Sequence, residues 1–115
     1  MASVQILPRI RVVSGRDIAL GPGKAELLEH IVQTGCLRKA AATMQMSYMR
    51  AWMLVRTMNQ CFKKPLVVLK RGGTKGGVTV VTREGRAVLA LYRRMETQTL
   101  EASQAVRKQL SKYLR

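Results

Sequence analysis

Between Tyr48 and Phe62, the residues Met49, Arg50, Met53, Arg56, Thr57 and Gln60 are spaced so that they share one arc of a helix at 100° per residue. Two guanidinium forks, an amide and a hydroxyl, with no carboxylate among them, make that arc a donor-rich cationic surface. Arginine forks and amides of this kind hydrogen-bond to base edges in the major groove of DNA, and Met49 and Met53 suit contact with thymine methyl groups. The opposite arc, Ala51, Val55, Met58 and Phe62, is apolar and is the expected core side.

The charge around this segment points the same way. The 115 residues carry 21 Lys and Arg against 6 Asp and Glu, a net charge of +15. No acidic residue falls between Glu29 and Glu84, while Arg38, Lys39, Arg50, Arg56, Lys63, Lys64, Lys70, Arg71, Lys75 and Arg83 all do. A polyanion would relieve the self-repulsion of such a surface. Nucleic acid is the expected partner, against the competing readings of a merely solvated basic face or a membrane surface.

Catalysis and metal binding have little to work with. His30 stands alone, no Ser/His/Asp set is present, and the acids are Asp17, Glu26, Glu29, Glu84, Glu96 and Glu101. Glu26 and Glu29 read as a solvated helix face. Cys36 and Cys61 lack Cys-x-x-Cys spacing and read as reduced, structural thiols without zinc. No catalytic residue, metal site or cofactor is expected. No apolar run approaches the roughly 18 residues of a membrane span, and no apolar leader precedes Pro8, so the expected location is the cytoplasm.

The elements that must hold the cationic arc follow from pattern and punctuation. Residues 6–20 contain two β-prone runs around Ser14-Gly15 and predict a hairpin. Gly21, Pro22 and Gly23 break the chain, and Leu27, Leu28, Ile31 and Val32 place a first helix at about 24–34, ended by Gly35. Leu37 to Met44, with a basic first turn and Ala40, Ala41 and Ala42, predicts a short second helix. Ser47 is positioned to cap a third, from Tyr48 to about Phe62. Two helices joined by a short turn, the second with a basic outer face, make a helix-turn-helix.

After Pro65, the runs Leu-Val-Val-Leu-Lys-Arg and Val-Thr-Val-Val-Thr flank the glycine-rich stretch 72–77, which predicts a β-hairpin wing with Lys75 at its tip. Phosphate contact by that tip is the functional reading, and a connector without a partner the bland one. No Gly-Lys-Ser/Thr opens a helix there, which argues against a nucleotide-binding loop. Thr82 caps a last helix, 83 to about 113, on the order of 45 Å long at 1.5 Å per residue. Val88, Tyr92, Met95, Thr99, Ala102, Val106, Gln109 and Tyr113 alternate in steps of four and three, a heptad seam expected to pair two copies. Leu89, Leu91 and Leu100 would widen that contact; a helix folded back on its own domain is the alternative.

The stretch Thr34-Gly35-Cys36-Leu37-Arg38-Lys39-Ala40-Ala41-Ala42-Thr43-Met44-Gln45-Met46-Ser47-Tyr48-Met49-Arg50-Ala51-Trp52 resembles the N-terminal DNA-binding domain of ModE-type molybdate-dependent regulators, a branch related to LysR-type winged helices. Met-Ser-Tyr-x-x-Ala-Trp is its distinctive part. Asn59, Pro65-Leu66, the glycine pairs at 72–77 and Thr82-x-x-Gly85 extend the resemblance over roughly residues 20–95. It implies that Ser47, Tyr48 and Arg50 open a recognition helix facing DNA, while Ala51 and Trp52 pack it onto the scaffold. Gln45 stands where such turns carry glycine, and Cys36 where a serine commonly caps the second helix. Full-length members continue into molybdate-binding domains, whereas this sequence stops at Arg115, so molybdate sensing is not carried over.

The expected architecture is mainly α with a little β: a winged helix-turn-helix domain over residues 1–82 and a long dimerisation helix over 83–115. The expected function is a sequence-specific, homodimeric, non-enzymatic transcription regulator on double-stranded DNA. Lys39, Ser47, Tyr48, Met49, Arg50, Met53, Arg56, Arg71 and Lys75 are the candidate contacts, and Val88, Tyr92, Met95, Thr99, Ala102, Val106 and Tyr113 the dimer seam. The rival readings are a non-specific architectural DNA coat and an adaptor whose long helix docks a separate effector-sensing protein.

Overall fold

In the computed structural model, which describes residues 4–71 and 77–115, two small antiparallel hairpins and four helices follow one another along the chain. Strands β1 (Val12–Ser14) and β2 (Asp17–Leu20) pair through a turn at Gly15-Arg16, with Ser14 opposite Asp17. Helix α1 (Pro22–Thr34) starts earlier than its hydrophobic spacing suggests. Pro22 occupies its first turn, where a missing N–H costs no hydrogen bond, so the Gly-Pro-Gly segment opens the helix instead of merely breaking the chain. Gly35 ends α1 with a left-handed backbone at φ 65°, its N–H donating to the Ile31 carbonyl at 2.8 Å.

Helix α2 (Leu37–Thr43) and helix α3 (Tyr48–Cys61) are joined by a four-residue turn. The Met46 N–H donates to the Ala41 carbonyl and the Gln45 N–H to that of Ala42, both at 3.0 Å. This is the doubly bonded helix ending that needs a left-handed residue between, and Gln45 supplies it at φ 56°. Strands β3 (Val67–Arg71) and β4 (Gly77–Val81) form the second hairpin, in register from Val67 opposite Val81 to Arg71 opposite Gly77. The tip glycines 72–76 and Lys75 lie outside the described residues.

Helix α4 (Arg83–Ser111) stretches the molecule to 58 Å against 34 and 23 Å in the other directions. The Thr82 hydroxyl caps it by accepting from the Gly85 N–H at 3.0 Å and donates to the Pro65 carbonyl at 2.8 Å. Gly85 is required there: a Cβ would run into the Leu66 carbonyl and come within 2.7 Å of Val81 Cγ1.

One core unites these pieces. Leu20, Leu27, Leu28, Ile31, Leu37, Ala40, Ala41, Ala51, Val55, Met58, Leu66, Val67, Val81 and Tyr92 are buried together. Each large aliphatic side chain of this set contributes on the order of 2 kcal/mol by leaving water. The small faces of α2 and α3 (Ala40, Ala41, Ala51) let the two helices approach closely. Phe62, expected in this core, only packs against its edge. No helix among the described residues is long and apolar enough to cross a membrane.

Tyr92 corrects the heptad reading. Its ring is 2% exposed within its own chain, and its hydroxyl donates to the Ile10 carbonyl at 2.8 Å. It is a core residue, not part of an exposed seam. The four-and-three spacing looks the same whether a stripe covers its own domain or a second copy, and the first turns of α4 do the former. Burial pushes the Tyr92 phenol above the usual tyrosine range, which keeps it a donor.

Candidate nucleic-acid interface

Helix α3 has the two faces that its sequence pattern demands. Ala51, Val55 and Met58 are completely buried, while Met49 and Met53 are 64% and 62% exposed, and Arg50, Arg56 and Gln60 are exposed with them. Thr57 is half-buried and its hydroxyl donates to the Met53 carbonyl at 3.0 Å, so it serves the helix backbone more than the surface. The Ser47 hydroxyl accepts from the Arg50 N–H at 3.1 Å. That cap fixes the start of α3 and leaves the Ser47 hydroxyl proton free to donate outward.

Trp52 departs from expectation. Packed onto the scaffold in the family pattern, it is 39% exposed in this chain. Lys39 and Arg38 are both exposed on α2, and the Arg38 guanidinium lies over the Tyr48 ring, 4.8 Å from its centroid. Sequence reasoning singled out Lys39 and passed over Arg38. The basic first turn of α2 was visible, but the stacking across the turn was not. Arg71 closes β3 opposite Gly77.

The face is cationic without local neutralisation. The four ion pairs among the described residues engage His30, Lys64 and Arg93, and none involves Arg38, Lys39, Arg50 or Arg56. No acidic residue occupies the first turn of α2 or α3. The acids are committed elsewhere: Glu29 and Glu96 both hold Arg93, tying α4 to α1. These two carboxylates keep the Arg93 guanidinium fully charged, raising its pKa although burial opposes it.

The face is also rigidly mounted. Asn59, on the side of α3 toward the second hairpin, accepts from the Leu66 N–H at 2.8 Å and donates to the Val67 carbonyl at 2.9 Å. Thr79 of β4, itself buried, accepts from the Leu37 N–H at 2.9 Å, and its own N–H donates to the Gly35 carbonyl at 3.0 Å. Cys36, at the position that precedes α2, makes no side-chain cap, and Thr79 of β4 satisfies one of the helix's free N–H groups, that of Leu37, from across the fold. The two thiols, Cys36 and Cys61, are free. No cluster of three or more metal-binding side chains occurs among the described residues.

A second surface is apolar. Val12, Leu20, Phe62, Val88, Leu91 and Met95 line an open apolar groove of about 490 Å³ between the first hairpin and α4. Leu91 is 62% and Met95 37% exposed. Of the other expected seam residues, Thr99 is half-buried, Ala102 exposed, Val106 66% exposed and Tyr113 88% exposed.

Known proteins match more than half of this chain. The molybdenum transport protein ModE of Azotobacter vinelandii is 36% identical over 96 residues, 84% of this chain and 36% of that protein. The relationship is ModE-like. The transcriptional regulator ModE of Haemophilus influenzae is 31% identical over 84% of the chain and 37% of its own length. The Escherichia coli K12 protein, named a DNA-binding transcriptional dual regulator ModE, is 37% identical over 62% of the chain and 27% of its own length. The chain thus spans about a third of the length of the ModE proteins it matches. No protein-family model matches it. These ModE relatives are named as regulators or as a transport protein, and none of the three as an enzyme.

Proposed function

We propose that the chain is the DNA-binding part of a ModE-like transcription regulator, built as a winged helix-turn-helix in which α3 is the recognition helix and the β3–β4 hairpin the wing. One observation carries this reading: an exposed face of α3, with Met49, Arg50, Met53 and Arg56, that no carboxylate neutralises, on a helix whose other face is completely buried. Arg50 and Arg56 read base edges, Met49 and Met53 meet thymine methyls, and Ser47, Tyr48, Lys39, Arg71 and Lys75 hold the phosphates.

The first helix of such a pair crosses the backbone while the second enters the major groove, which fits a rigid α2–α3 turn braced by Asn59 and Thr79. Two copies, joined through the groove at Leu91 and Met95 and the exposed stripe beyond it, would set their α3 helices about 34 Å apart on a palindromic site. The Azotobacter vinelandii relative is named a molybdenum transport protein, which makes genes of molybdenum handling the first targets to examine. The segment 83–115 then serves dimerisation beyond Tyr92, while its first turns belong to the domain core.

Arg50→Ala tests the assignment. With fragments selected from genomic DNA as the binding site, it is expected to cost about 1–3 kcal/mol on the preferred sequence and to relax base choice beside the contact, whereas Lys75→Ala weakens all DNA alike. An Arg50→Ala chain with unchanged site preference would refute the readout role. The net charge of +15 favours a second reading, a DNA coat without sequence choice. Competition with random DNA separates the two, because a regulator holds its operator by a margin on the order of a thousandfold.

A further inference from the structure

We propose that Arg38 is a phosphate-contacting residue of this interface and that Tyr48 is its positioning partner, so that the two act as one unit bridging α2 and α3. The inference rests on the DNA-binding reading above and adds to it a contact and a coupling. The Arg38 guanidinium lies 4.8 Å from the centroid of the Tyr48 ring. Arg38 is exposed and Tyr48 is 38% exposed, so the stack sits at the surface and not in the core. No described carboxylate forms an ion pair with Arg38.

A guanidinium laid on an aromatic face keeps its N–H edges free, and those edges match a phosphate group as a two-pronged donor. The ring also limits the conformations of a long side chain that would otherwise lose them on binding. Lysine does neither, because its ammonium is a point charge on a flexible stem. Arg38 belongs to α2, the helix that crosses the DNA backbone in a helix-turn-helix, while Tyr48 opens the helix that enters the groove. The stack therefore ties backbone contact to the setting of the recognition helix.

A double-mutant cycle in a DNA-binding assay, repeated over a range of salt, tests this with the full chain and a duplex selected for binding. Arg38→Ala is expected to weaken binding about five- to tenfold and to reduce the salt slope by about one. Arg38→Lys recovers little of the affinity. In a Tyr48→Phe background, which keeps the ring and removes the hydroxyl, Arg38→Ala costs the same factor as in the wild type. In a Tyr48→Leu background it costs less than about twofold. Thermal midpoints of all variants stay near that of the wild type, since both side chains lie at the surface.

Full rescue by Arg38→Lys, or an equal loss from Arg38→Ala in the Leu and wild-type backgrounds, overturns the coupling. Wild-type affinity in Arg38→Ala overturns the contact while leaving the DNA-binding reading standing. A wild-type chain that binds no duplex overturns both.

Discussion

Gln45 is the one non-glycine residue among those described with a left-handed backbone, at φ 56°. Its place in the α2–α3 turn, where related turns carry glycine, marked the position in the sequence and pointed to an altered turn, yet the left-handed conformation is kept. A side chain in this region costs roughly 1 kcal/mol or more, part of which glycine would give back through its larger unfolded-state entropy. Gln45→Gly is therefore expected to raise the thermal midpoint by a few degrees. A lowered midpoint would mean that the glutamine side chain compensates its own strain. Tyr92 is the opposite case, a residue whose place was not legible, because core and seam spacing coincide on one helix face. Its raised pKa has a consequence with a definite sign. Below the unfolded-state value, near 10, the phenol is protonated in both states and stability is untouched; above it the unfolded chain loses its proton first, and stability falls as pH rises toward the folded value. Denaturation at pH 8 and pH 10.5 should show a smaller alkaline loss for Tyr92→Phe than for the wild type. An equal loss in both would place the titrating group elsewhere.

Among the elements, the helices and both hairpins were legible because each carries its own punctuation: Ser47 and Thr82 as caps, Gly35 as a stop, and β-branched runs flanking glycines. What joins them was not. The link from Thr79 to the Leu37 N–H spans 42 residues, and a threonine in a strand is unremarkable by pattern. The same holds for the N-terminal segment, where Val4 to Leu7 lie along Gln104 to Ser111 of α4 without any periodicity that would announce it. Thr79 makes the second hairpin and the α2–α3 unit one mechanical piece. Replacing it by valine keeps the strand and the volume but leaves a buried N–H without a partner, which costs about 1–3 kcal/mol. Chemical denaturation of Thr79→Val should show that loss, and amide exchange should quicken at Leu37 relative to the α3 core. A variant as stable as the wild type would mean that water or Cys36 takes over the cap.

For the molecule as a whole, a single core carries two surfaces of different character, one cationic and one apolar. The cationic surface is carried by α2 and α3; the apolar one contains Val12, Phe62, Leu91 and Met95, with Arg94 and Gln98 as its polar members. A side chain such as Leu91, 62% exposed beside an open apolar groove, is a poor surface residue unless something covers it. In the proposed dimer a second copy would do so symmetrically, since each groove would receive the other's α4. Leu91→Glu places a carboxylate in that contact, twice over because of the symmetry, and like charges meeting in a desolvated interface are strongly disfavoured. Sedimentation should then show a monomer where the wild type is expected to sediment as a dimer. Affinity for a palindromic duplex should drop toward that for a single half-site, while binding to an isolated half-site stays unchanged, because Leu91 belongs to α4 and not to the exposed face of α3. If Leu91→Glu remains dimeric, the contact lies further along α4, at Val106 and Tyr113. If the wild type itself sediments as a monomer at micromolar concentration, the long helix serves another partner and the palindrome expectation falls with the dimer.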